Sequence, residues 1–379
     1  MSDRLRVVLF ALLVAGVAVV GCGDERESSV GDERSFNAEE GEDHDNGGQS
    51  QPDGDGEEDT DEPAQEEQDH DHDGDTETEP NDEADGQEEP IEDPDWSPYD
   101  PGPLEVLSSP VDDGPAPMVV FYPDDDGSYP LVVFQHGFLM ANTYYSDVLS
   151  HVASHGFVVA APQMYESGGL PIGTPSTGEE AVLANEVYDW LGSGLGAALD
   201  IELNEGSLAL AGHSRGSKVI WWALGEESWT IDAFIGVDPV DGTGGPFGNE
   251  DEVTDTDVDL GAPVLLIGAG LGSESAGFGQ PACAPEGDNY AAFFEATASP
   301  AWQVVAPDYG HLDMLDDETD GCGLACSACV EGDARAPMRQ LVGGLMVAAL
   351  RAAQYEESWA VDWLGDESAA PVEIQTIAK

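Results

Sequence analysis

The stretch Gly212-His213-Ser214-Arg215-Gly216 joins an apolar run, Ser207–Ala211, to a segment with helical periodicity, Gly216–Leu224. Such a junction predicts a sharp turn from a strand into a helix, and glycines two residues before and after the serine leave room for the backbone to pass. The turn exposes the serine hydroxyl above the sheet in a strained backbone conformation. Ser214 is therefore the candidate nucleophile, although short Gly/Ser clusters also arise by chance in a chain with 46 glycines.

Short apolar runs alternate with helix-length segments on both sides of this turn. Runs so uniformly apolar are typical of parallel strands that are buried on both faces. The alternation predicts a mostly parallel, doubly wound α/β sheet with helices on both faces. The predicted strands are Met118–Tyr122, Leu131–Gln135, Phe157–Ala161, Ser207–Ala211, Ala233–Val237, Pro263–Gly268 and Trp302–Ala306. The predicted helices are Tyr144–Ser154, Glu179–Leu195, Gly216–Leu224 and Met338–Ala353.

A serine nucleophile needs a base, and in sheets of this kind the chain order is serine, acid, histidine. Only one of the eight histidines, His311, follows Ser214, and it lies in the loop after the last predicted strand. We expect Gly310 to let the backbone turn the imidazole toward the serine. His311 is the candidate base, whereas His151 and His155 share a helix face and are interpreted as packing or surface residues.

The acid is harder to choose because the chain is rich in carboxylates. The strand Pro263–Gly268 is followed by no carboxylate before Glu274, so the acid is expected elsewhere. Asp238 and Asp241 follow the strand Ala233–Val237, and a carboxylate at the carboxyl end of a central strand can reach the imidazole. We prefer Asp238 and keep Asp241 as the alternative. Its role is to fix the imidazole tautomer and to stabilise the imidazolium.

An oxyanion needs backbone N–H groups that point at the developing charge. One is expected from Arg215, directly after the nucleophile, and the other from the loop after Leu131–Gln135. In that loop Gly137 permits a tight turn, the amide of Phe138 is the preferred donor and that of Leu139 the alternative. A plain strand-ending turn would have the same sequence, and only the direction of the amides separates the two.

Five segments of the sequence form a further pattern: Phe134–Phe138, Gly212–Lys218, Gly236–Val240, Cys283–Pro285 and Asp308–Asp317. Together they resemble the chlorophyllases, which are serine esterases of the α/β-hydrolase fold that release phytol from chlorophyll. They cover about residues 103–355 in order and rough spacing, and the family usually has glycine where Ser217 stands. The resemblance implies a triad of Ser214, Asp238 and His311, in agreement with the choices above.

The resemblance implies a carboxylic ester hydrolase that works through an acyl-enzyme and needs no cofactor and no metal. The expected substrate is a small-molecule ester with a lipophilic group. The alternatives are a lipase or polyesterase-like hydrolase of the same fold and a non-catalytic acidic lipoprotein that binds at a surface. Five apolar side chains are candidates either for the lining of the cleft or for core packing at a helix start: Phe138, Leu139, Met140, Tyr144 and Tyr145.

The amino terminus predicts export. Arg4 and Arg6 precede Val7–Val20, an apolar and glycine run of 14 residues that is shorter than the roughly 20 residues of a membrane-spanning helix. The run ends at Cys22 in a pattern that resembles the lipobox of bacterial lipoproteins. We therefore expect a signal peptide over residues 1–21, a lipid on Cys22 and an outer-membrane or cell-surface location; a plain secretory peptide is the alternative.

Residues 22–98 are expected to form a disordered acidic tether. Residues 24–95 hold 33 Asp and Glu against two Arg and almost no large apolar side chain, so they cannot offset the entropy of ordering. Within this stretch Asp69–Gly74 has the start of a calcium-loop pattern, but Pro80 stands where the bidentate Glu would be needed. Loose binding of counter-ions is the preferred interpretation.

Residues 99–379 are long enough for one catalytic domain, which we expect to be monomeric. The chain carries 79 acidic and 10 basic residues, a net charge of −69, and this excludes nucleic acid as a partner. The domain itself has 6 basic and 45 acidic residues, so 6 − 45 = −39. Such a surface predicts a halotolerant or salt-requiring protein, because salt screens its repulsion; the alternative is that the acidity only maintains solubility.

Four cysteines remain in the predicted domain: Cys283, Cys322, Cys326 and Cys329. An even number in an exported chain favours two disulfides, with three possible pairings. The alternative is a zinc site, since the last three have ligand-like spacing. Disulfides would hold the loop after His311.

Overall fold

A computed structural model of the chain describes residues 97–168, 174–226, 229–242, 252–277, 279–298, 300–319, 322 and 326–379. The expected signal peptide, the lipidation site Cys22, nearly all of the tether and the calcium-loop pattern Asp69–Gly74 lie outside these residues. None of the helices within the described ranges is long and apolar enough to cross a membrane.

The described residues contain a nine-stranded sheet with the strand order β1-β2-β4-β3-β5-β6-β7-β8-β9. The six central strands, from β4 to β8 in this order, are all parallel to their neighbours. The strands are β1 (Val106–Val111), β2 (Met118–Pro123), β3 (Ser128–Gln135), β4 (Val158–Pro162), β5 (Glu202–His213), β6 (Ala233–Val237), β7 (Val264–Ala269), β8 (Ala301–Ala306) and β9 (Gln375–Ala378).

The prediction that β2 is parallel to its neighbours is wrong, because β2 runs antiparallel to both β1 and β4. Uniform apolarity reports burial rather than direction, and β2 is largely buried whichever way it runs. The strands β1 and β9, at the two edges of the sheet, were not predicted. Both edge strands are mostly exposed or half-buried, so they lack the apolar run that marks the central strands.

Helices cover both faces of the sheet, as expected for a doubly wound fold. All four predicted helices are present, and two short ones, α3 and α5, were not foreseen. The helices are α1 (Ser146–Ser154), α2 (Thr177–Trp190), α3 (Gly196–Leu199), α4 (Arg215–Glu226), α5 (Tyr290–Ala296) and α6 (Arg335–Gln354). A π-helical turn, Leu191–Leu195, continues α2, and short 3₁₀ turns are formed by Asn142–Tyr145, Gly270–Ser273 and Ser358–Leu364.

The core has two layers, one on each face of the sheet. On one face α1 and α6 bury Leu149 and Leu345 against the sheet. On the other face α2, α4 and α5 bury side chains such as Ile220 and Phe293. Because successive strand residues point to opposite faces, the central strands must be apolar at every position to fill both layers. Polar side chains are thereby confined to the strand ends, where the loops lie.

The four cysteines form two disulfides, Cys283–Cys329 and Cys322–Cys326. The zinc alternative is wrong, since all four thiols are oxidised to disulfides and no cluster of metal-ligating side chains occurs in the part of the chain that the structure describes. Cys283–Cys329 joins the chain after β7 to the chain after His311 across a separation of 46 residues. The prediction that disulfides hold this region is confirmed.

The fold should lose stability in mild acid because it buries neutral histidines. Burial lowers the pKa of His136 and of His155 to about 4 and that of His213 well below its usual value. An unfolded chain protonates these rings below pH ~6.5, so stability falls as the pH falls from there toward 4, by up to about 1.4 kcal/mol per pH unit for each histidine.

The measurement is the free energy of unfolding in denaturant between pH 7 and pH 5, at molar salt to screen the carboxylates. A decrease toward pH 5 is expected, with a shallower slope in His155→Asn, which removes one titrating ring. A free energy that is constant or increases toward pH 5 would contradict this assignment.

Candidate active site

Ser214 stands in the sharp turn between β5 and α4, as the sequence predicted. Its φ of 54° is left-handed, and its backbone N–H donates to the carbonyl of Val237 at 3.0 Å. The glycines on either side allow close contacts: a Cβ at Gly212 would lie 2.7 Å from the amide nitrogen of Ser217, and one at Gly216 would collide with the carbonyl of Gln135. Small residues at both places are therefore required by the geometry.

His311 reaches Ser214 from the loop after β8. Its Nε2 lies 2.9 Å from the Ser214 hydroxyl oxygen, and the residue is only 5% exposed. The expected reason for Gly310 was wrong, because its φ is not positive. A Cβ at Gly310 would instead collide with the carbonyl of Val330, so the glycine is needed for the close approach of two loops.

Asp238 completes a chain of hydrogen bonds with His311 and Ser214. Its Oδ2 lies 2.6 Å from Nδ1 of His311, and its Oδ1 accepts from the backbone N–H of Ala269 at 2.9 Å. A carboxylate only accepts, so Nδ1 of His311 carries the proton and Nε2 faces the serine as the unprotonated nitrogen. Asp238 is fully buried with a φ of 40°, a conformation that the surrounding structure must hold in place.

Asp241, the alternative acid, forms its contacts with Lys218 and with residues 253 and 254. Its carboxylate lies 3.2 Å from the ammonium of Lys218, and the same lysine donates to its backbone carbonyl at 2.5 Å. The carboxylate also accepts from the backbone N–H groups of Val253 and Thr254 and from the Thr254 hydroxyl. Both side chains of the Lys218–Asp241 pair are almost fully buried. Asp241 therefore holds a loop rather than the imidazole.

We call residues His136–Met140, which include the candidate oxyanion donors Phe138 and Leu139, the oxyanion loop. The carbonyl of Gly137 lies 2.9 Å from Nδ1 of His136 and accepts from the N–H of Met140 at 3.1 Å. The Nε2 of His136 accepts from the N–H of Met164, so Nδ1 is the donor to Gly137. In a trans peptide the C=O and the following N–H point in opposite directions. The N–H of Phe138 therefore points away from His136.

The alternative donor, the N–H of Leu139, already donates to the hydroxyl of Tyr165 at 3.2 Å. Leu139 also has a φ of 59°, in the left-handed region. Of the five side chains considered for the cleft, four are buried and belong to the core: Leu139, Met140, Tyr144 and Tyr145. Phe138 alone is half-buried and remains a candidate for the lining.

Arg215 begins α4, where backbone N–H groups point outward from the helix start. Its guanidinium binds the buried carboxylate of Glu180 at 2.8 Å, donates to the carbonyl of Pro175 and lies 5.6 Å from the centre of the Phe138 ring. Glu180 was not found by sequence reasoning, since 35 residues separate it from Arg215. Together these contacts connect the two residues whose amides are candidate oxyanion donors.

Ser217 fits the turn although the resemblance led us to expect glycine there. It is fully buried, and its hydroxyl donates to the carbonyl of Gly212 at 2.6 Å. The hydroxyl therefore forms a bond within the turn and does not contact the triad candidates. His151 and His155 are packing residues: their rings lie 4.9 Å apart and their Nε2 atoms bond the carbonyls of Pro98 and Asp100.

Two residues make contacts at the site that were not predicted from the sequence: His213, and Tyr145, which was considered only for the cleft lining or for core packing. His213, which adjoins Ser214 and was therefore not expected to be its base, is fully buried between the oxyanion loop and the ring of His311. Tyr145 bonds both His213 and the oxyanion loop. The contacts of His213 with Tyr145 and with His311 link residues 68 and 98 positions apart, and no local sequence pattern predicts them.

Comparison with known proteins gives a consistent picture. Residues 98–379 match the sequence profile of the Chlorophyllase family. The chain is 40% identical to Chlorophyllase-2 of Arabidopsis thaliana over 261 residues, which is 65% of this chain and 76% of that protein. It is 36% identical to the chloroplastic Chlorophyllase-1 of Citrus unshiu over 285 residues, 72% of this chain and 84% of the relative. Chlorophyllase-1 of Arabidopsis thaliana is 34% identical over 275 residues, 69% of this chain and 83% of that protein.

Proposed function

The chain belongs to the chlorophyllase family of carboxylic ester hydrolases, and from this we propose that it cleaves esters with Ser214 as the nucleophile, His311 as the base and Asp238 as the acid. The observation that supports the proposal best is the continuous chain of two hydrogen bonds, 2.9 Å and 2.6 Å long, that joins the three side chains. A serine hydroxyl alone is a weak nucleophile, and a positioned base is what makes it reactive.

In the first half of the proposed reaction Ser214 attacks the ester carbonyl. His311 removes the proton of the hydroxyl through Nε2 and becomes an imidazolium, which the buried carboxylate of Asp238 stabilises. The tetrahedral intermediate then breaks its bond to the alcohol, and Nε2 returns the proton to the leaving oxygen. The acyl group remains on Ser214.

In the second half of the proposed reaction, water hydrolyses the acyl-enzyme. His311 takes a proton from a water molecule, the hydroxide attacks the acyl-enzyme, and Ser214 leaves with the proton from Nε2. We assign the oxyanion to the backbone N–H groups of Phe138 and Arg215. The direction of the Gly137–Phe138 peptide and the position of Arg215 at the helix start support this pair over one that includes Leu139.

For the substrate we propose an ester with a lipophilic group, with chlorophyll as the first candidate because the relatives are named chlorophyllases. Phe138 is half-buried, the centre of its ring lies 5.6 Å from the guanidinium carbon of Arg215, and it provides an apolar contact for such a group. A lipase or polyesterase-like activity would use the same triad and would differ only in the shape of the cleft. The substrate assay below separates these possibilities.

The full chain should be assayed with p-nitrophenyl esters from acetate to laurate and with chlorophyll a in detergent. Release of chlorophyllide at a kcat/KM at least comparable with the best simple ester would support the proposal in full. Hydrolysis of simple esters alone would favour the lipase-like alternative. A folded protein that cleaves no ester at low or molar salt would contradict the function and favour the non-catalytic surface lipoprotein.

We further propose that the hydrolase is the domain over residues 99–379, that residues 22–98 tether it, and that residues 1–21 are a signal peptide. A lipid on Cys22 would hold the protein at the outer membrane or surface of a bacterium, as a monomer. The support is the sequence pattern alone. Radiolabelled palmitate incorporated into the wild type but not into Cys22→Ser would support the anchor, and equal labelling of both would contradict it.

Salt should stabilise the domain strongly. Its charge of 6 − 45 = −39 makes the folded surface repel itself, and the Debye length falls from about 30 Å at 0.01 M to about 3 Å at 1 M salt. We expect the thermal midpoint to rise between low and molar NaCl. The control is a chain with several surface Asp replaced by Asn, in which the rise should be smaller. A midpoint that is constant or falls with salt would contradict the prediction.

A further inference from the structure

We propose that His213 is a positioning residue that couples the oxyanion loop to the backbone of His311. The inference rests on the proposed function, since it assigns a part in the same reaction. His213 is fully buried, directly precedes Ser214, and takes no part in proton transfer in the mechanism above. Its contacts on both sides reach groups that the reaction depends on.

The protonation of His213 follows from its two hydrogen bonds. Its Nε2 lies 2.9 Å from the backbone carbonyl oxygen of His311, and a carbonyl can only accept, so Nε2 carries the proton. Its Nδ1 lies 2.8 Å from the hydroxyl oxygen of Tyr145, so Nδ1 accepts the phenolic proton. His213 is thus a neutral ring in one defined tautomer, and burial, which lowers its pKa, keeps it neutral.

Tyr145 extends the chain to the oxyanion loop. Its hydroxyl donates its single proton to His213, and the same oxygen accepts from the backbone N–H of Gly137 at 3.0 Å. The hydrogen bonds therefore run from Gly137 through Tyr145 to His213, and from the other ring nitrogen of His213 to His311. Every donor along this path has an acceptor, so the path has one consistent direction.

Packing reinforces the same connection. The rings of His213 and His311 lie 4.7 Å apart at 37°, and a Cβ at Gly137 would lie 2.7 Å from Nδ1 of His213. The ring of Tyr145 is anchored on Phe134 in the core, with centroids 4.9 Å apart. His213 therefore fills the space between the oxyanion loop, which carries the Phe138 amide, and the proposed base His311.

Loss of this connection should affect the chemical step more than substrate binding. The Phe138 amide and the His311 imidazole act on the developing charge and on the proton, and a displacement of about 1 Å in such groups can cost about 100-fold in rate. The lipophilic part of the substrate contacts neither His213 nor Tyr145, since both are buried. A lower kcat with a nearly unchanged KM is the expected signature.

Two half-replacements of His213 separate its two contacts. The carbonyl oxygen of His213→Asn can stand near the place of Nδ1 and accept from Tyr145, but it leaves the His311 carbonyl without a donor. The amide nitrogen of His213→Gln can stand near the place of Nε2 and donate to His311, but it leaves Tyr145 without an acceptor. His213→Ala removes both bonds, and Tyr145→Phe breaks the path on the side of the oxyanion loop.

The matched control is Tyr188→Phe. Tyr188 is also a buried tyrosine whose hydroxyl has a hydrogen-bond partner, the side chain of Gln135 at 2.9 Å, but it lies on α2 and contacts none of the triad candidates. Kinetics on one p-nitrophenyl ester and the inhibition constant of an arylboronate, which mimics the tetrahedral intermediate, should be measured for all variants. The thermal midpoint of each variant shows whether it is folded at the assay temperature.

We expect Tyr145→Phe and His213→Ala to lower kcat by about 10- to 100-fold and to weaken the boronate in parallel, with KM changed by less than about threefold. His213→Asn and His213→Gln should each lower kcat less than His213→Ala does. Normal kcat in folded Tyr145→Phe, or an equal loss in Tyr188→Phe, would overturn the inference while Ser214 chemistry stands. If His213→Ala does not fold, Tyr145→Phe and the half-replacements decide. A wild type that hydrolyses no ester would overturn the proposed function and this inference with it.

Discussion

Ser214→Ala is expected to lower kcat by about 10⁴- to 10⁶-fold while the protein stays folded. The substitution removes the atom that would form the acyl-enzyme, and neither His311 nor the oxyanion donors can replace it. Its cost in stability should be about 1 kcal/mol, because only the hydrogen bond to Nε2 of His311 is lost. The measurement is kcat on a p-nitrophenyl ester together with the thermal midpoint.

Ser217→Ala is the matched control for this experiment. It also removes a hydroxyl from the same turn, but that hydroxyl bonds the carbonyl of Gly212 and does not contact His311. Ser217→Ala should therefore retain activity within a few-fold and lose about 1 kcal/mol of stability. A Ser214→Ala protein that keeps more than a few per cent of wild-type kcat would disprove the role of this serine.

Asp238→Asn is expected to lower kcat by about 10⁴-fold. The asparagine amide can donate to Nδ1 of His311, and this stabilises the tautomer in which Nε2 carries a proton and cannot act as a base. The asparagine oxygen can still accept from the N–H of Ala269, so the loop should keep its shape. The pH dependence of kcat is the diagnostic measurement, because the loss of kcat arises from the tautomer of the His311 imidazole.

Asp241→Asn provides the contrast because it removes a carboxylate three residues further along the same loop. This change leaves the buried ammonium of Lys218 without its counter-charge, and about 3–5 kcal/mol of stability should be lost. The kcat of the protein that remains folded should be close to that of the wild type. Equal losses of kcat in the two variants, or a greater loss in Asp241→Asn, would contradict the assignment of the acid.

The sequence was sufficient for the central part of the fold because burial on both faces leaves a strong local signal. The strands β3 to β8 are nearly continuous apolar runs and were found within a few residues, apart from an earlier start of β5. The edge strands β1 and β9 were missed because exposed residues carry no such signal. The direction of β2 depends on which neighbour it pairs with, and this is a tertiary choice.

The candidate site shows the same division between local and distant information. Ser214 and His311 were identified from a local motif and from chain order, and the structure places them in hydrogen-bond contact. The sequence favoured Asp238 over Asp241, and in the structure Asp238 contacts His311 while Asp241 contacts Lys218. The contacts of Glu180 and Tyr145 join distant segments, so no spacing rule could have revealed them.

The most direct test of the account is covalent trapping with a fluorophosphonate, which mimics an ester and reacts through the same attack. In the expected reaction a bond forms between phosphorus and the oxygen of Ser214, fluoride leaves, and His311 takes the proton. Intact mass spectrometry should find one adduct per chain, peptide mapping should locate it on Ser214, and hydrolysis should stop in proportion to labelling. Labelling of another residue with parallel loss of hydrolysis, or hydrolysis that persists after complete labelling of Ser214, would contradict the account.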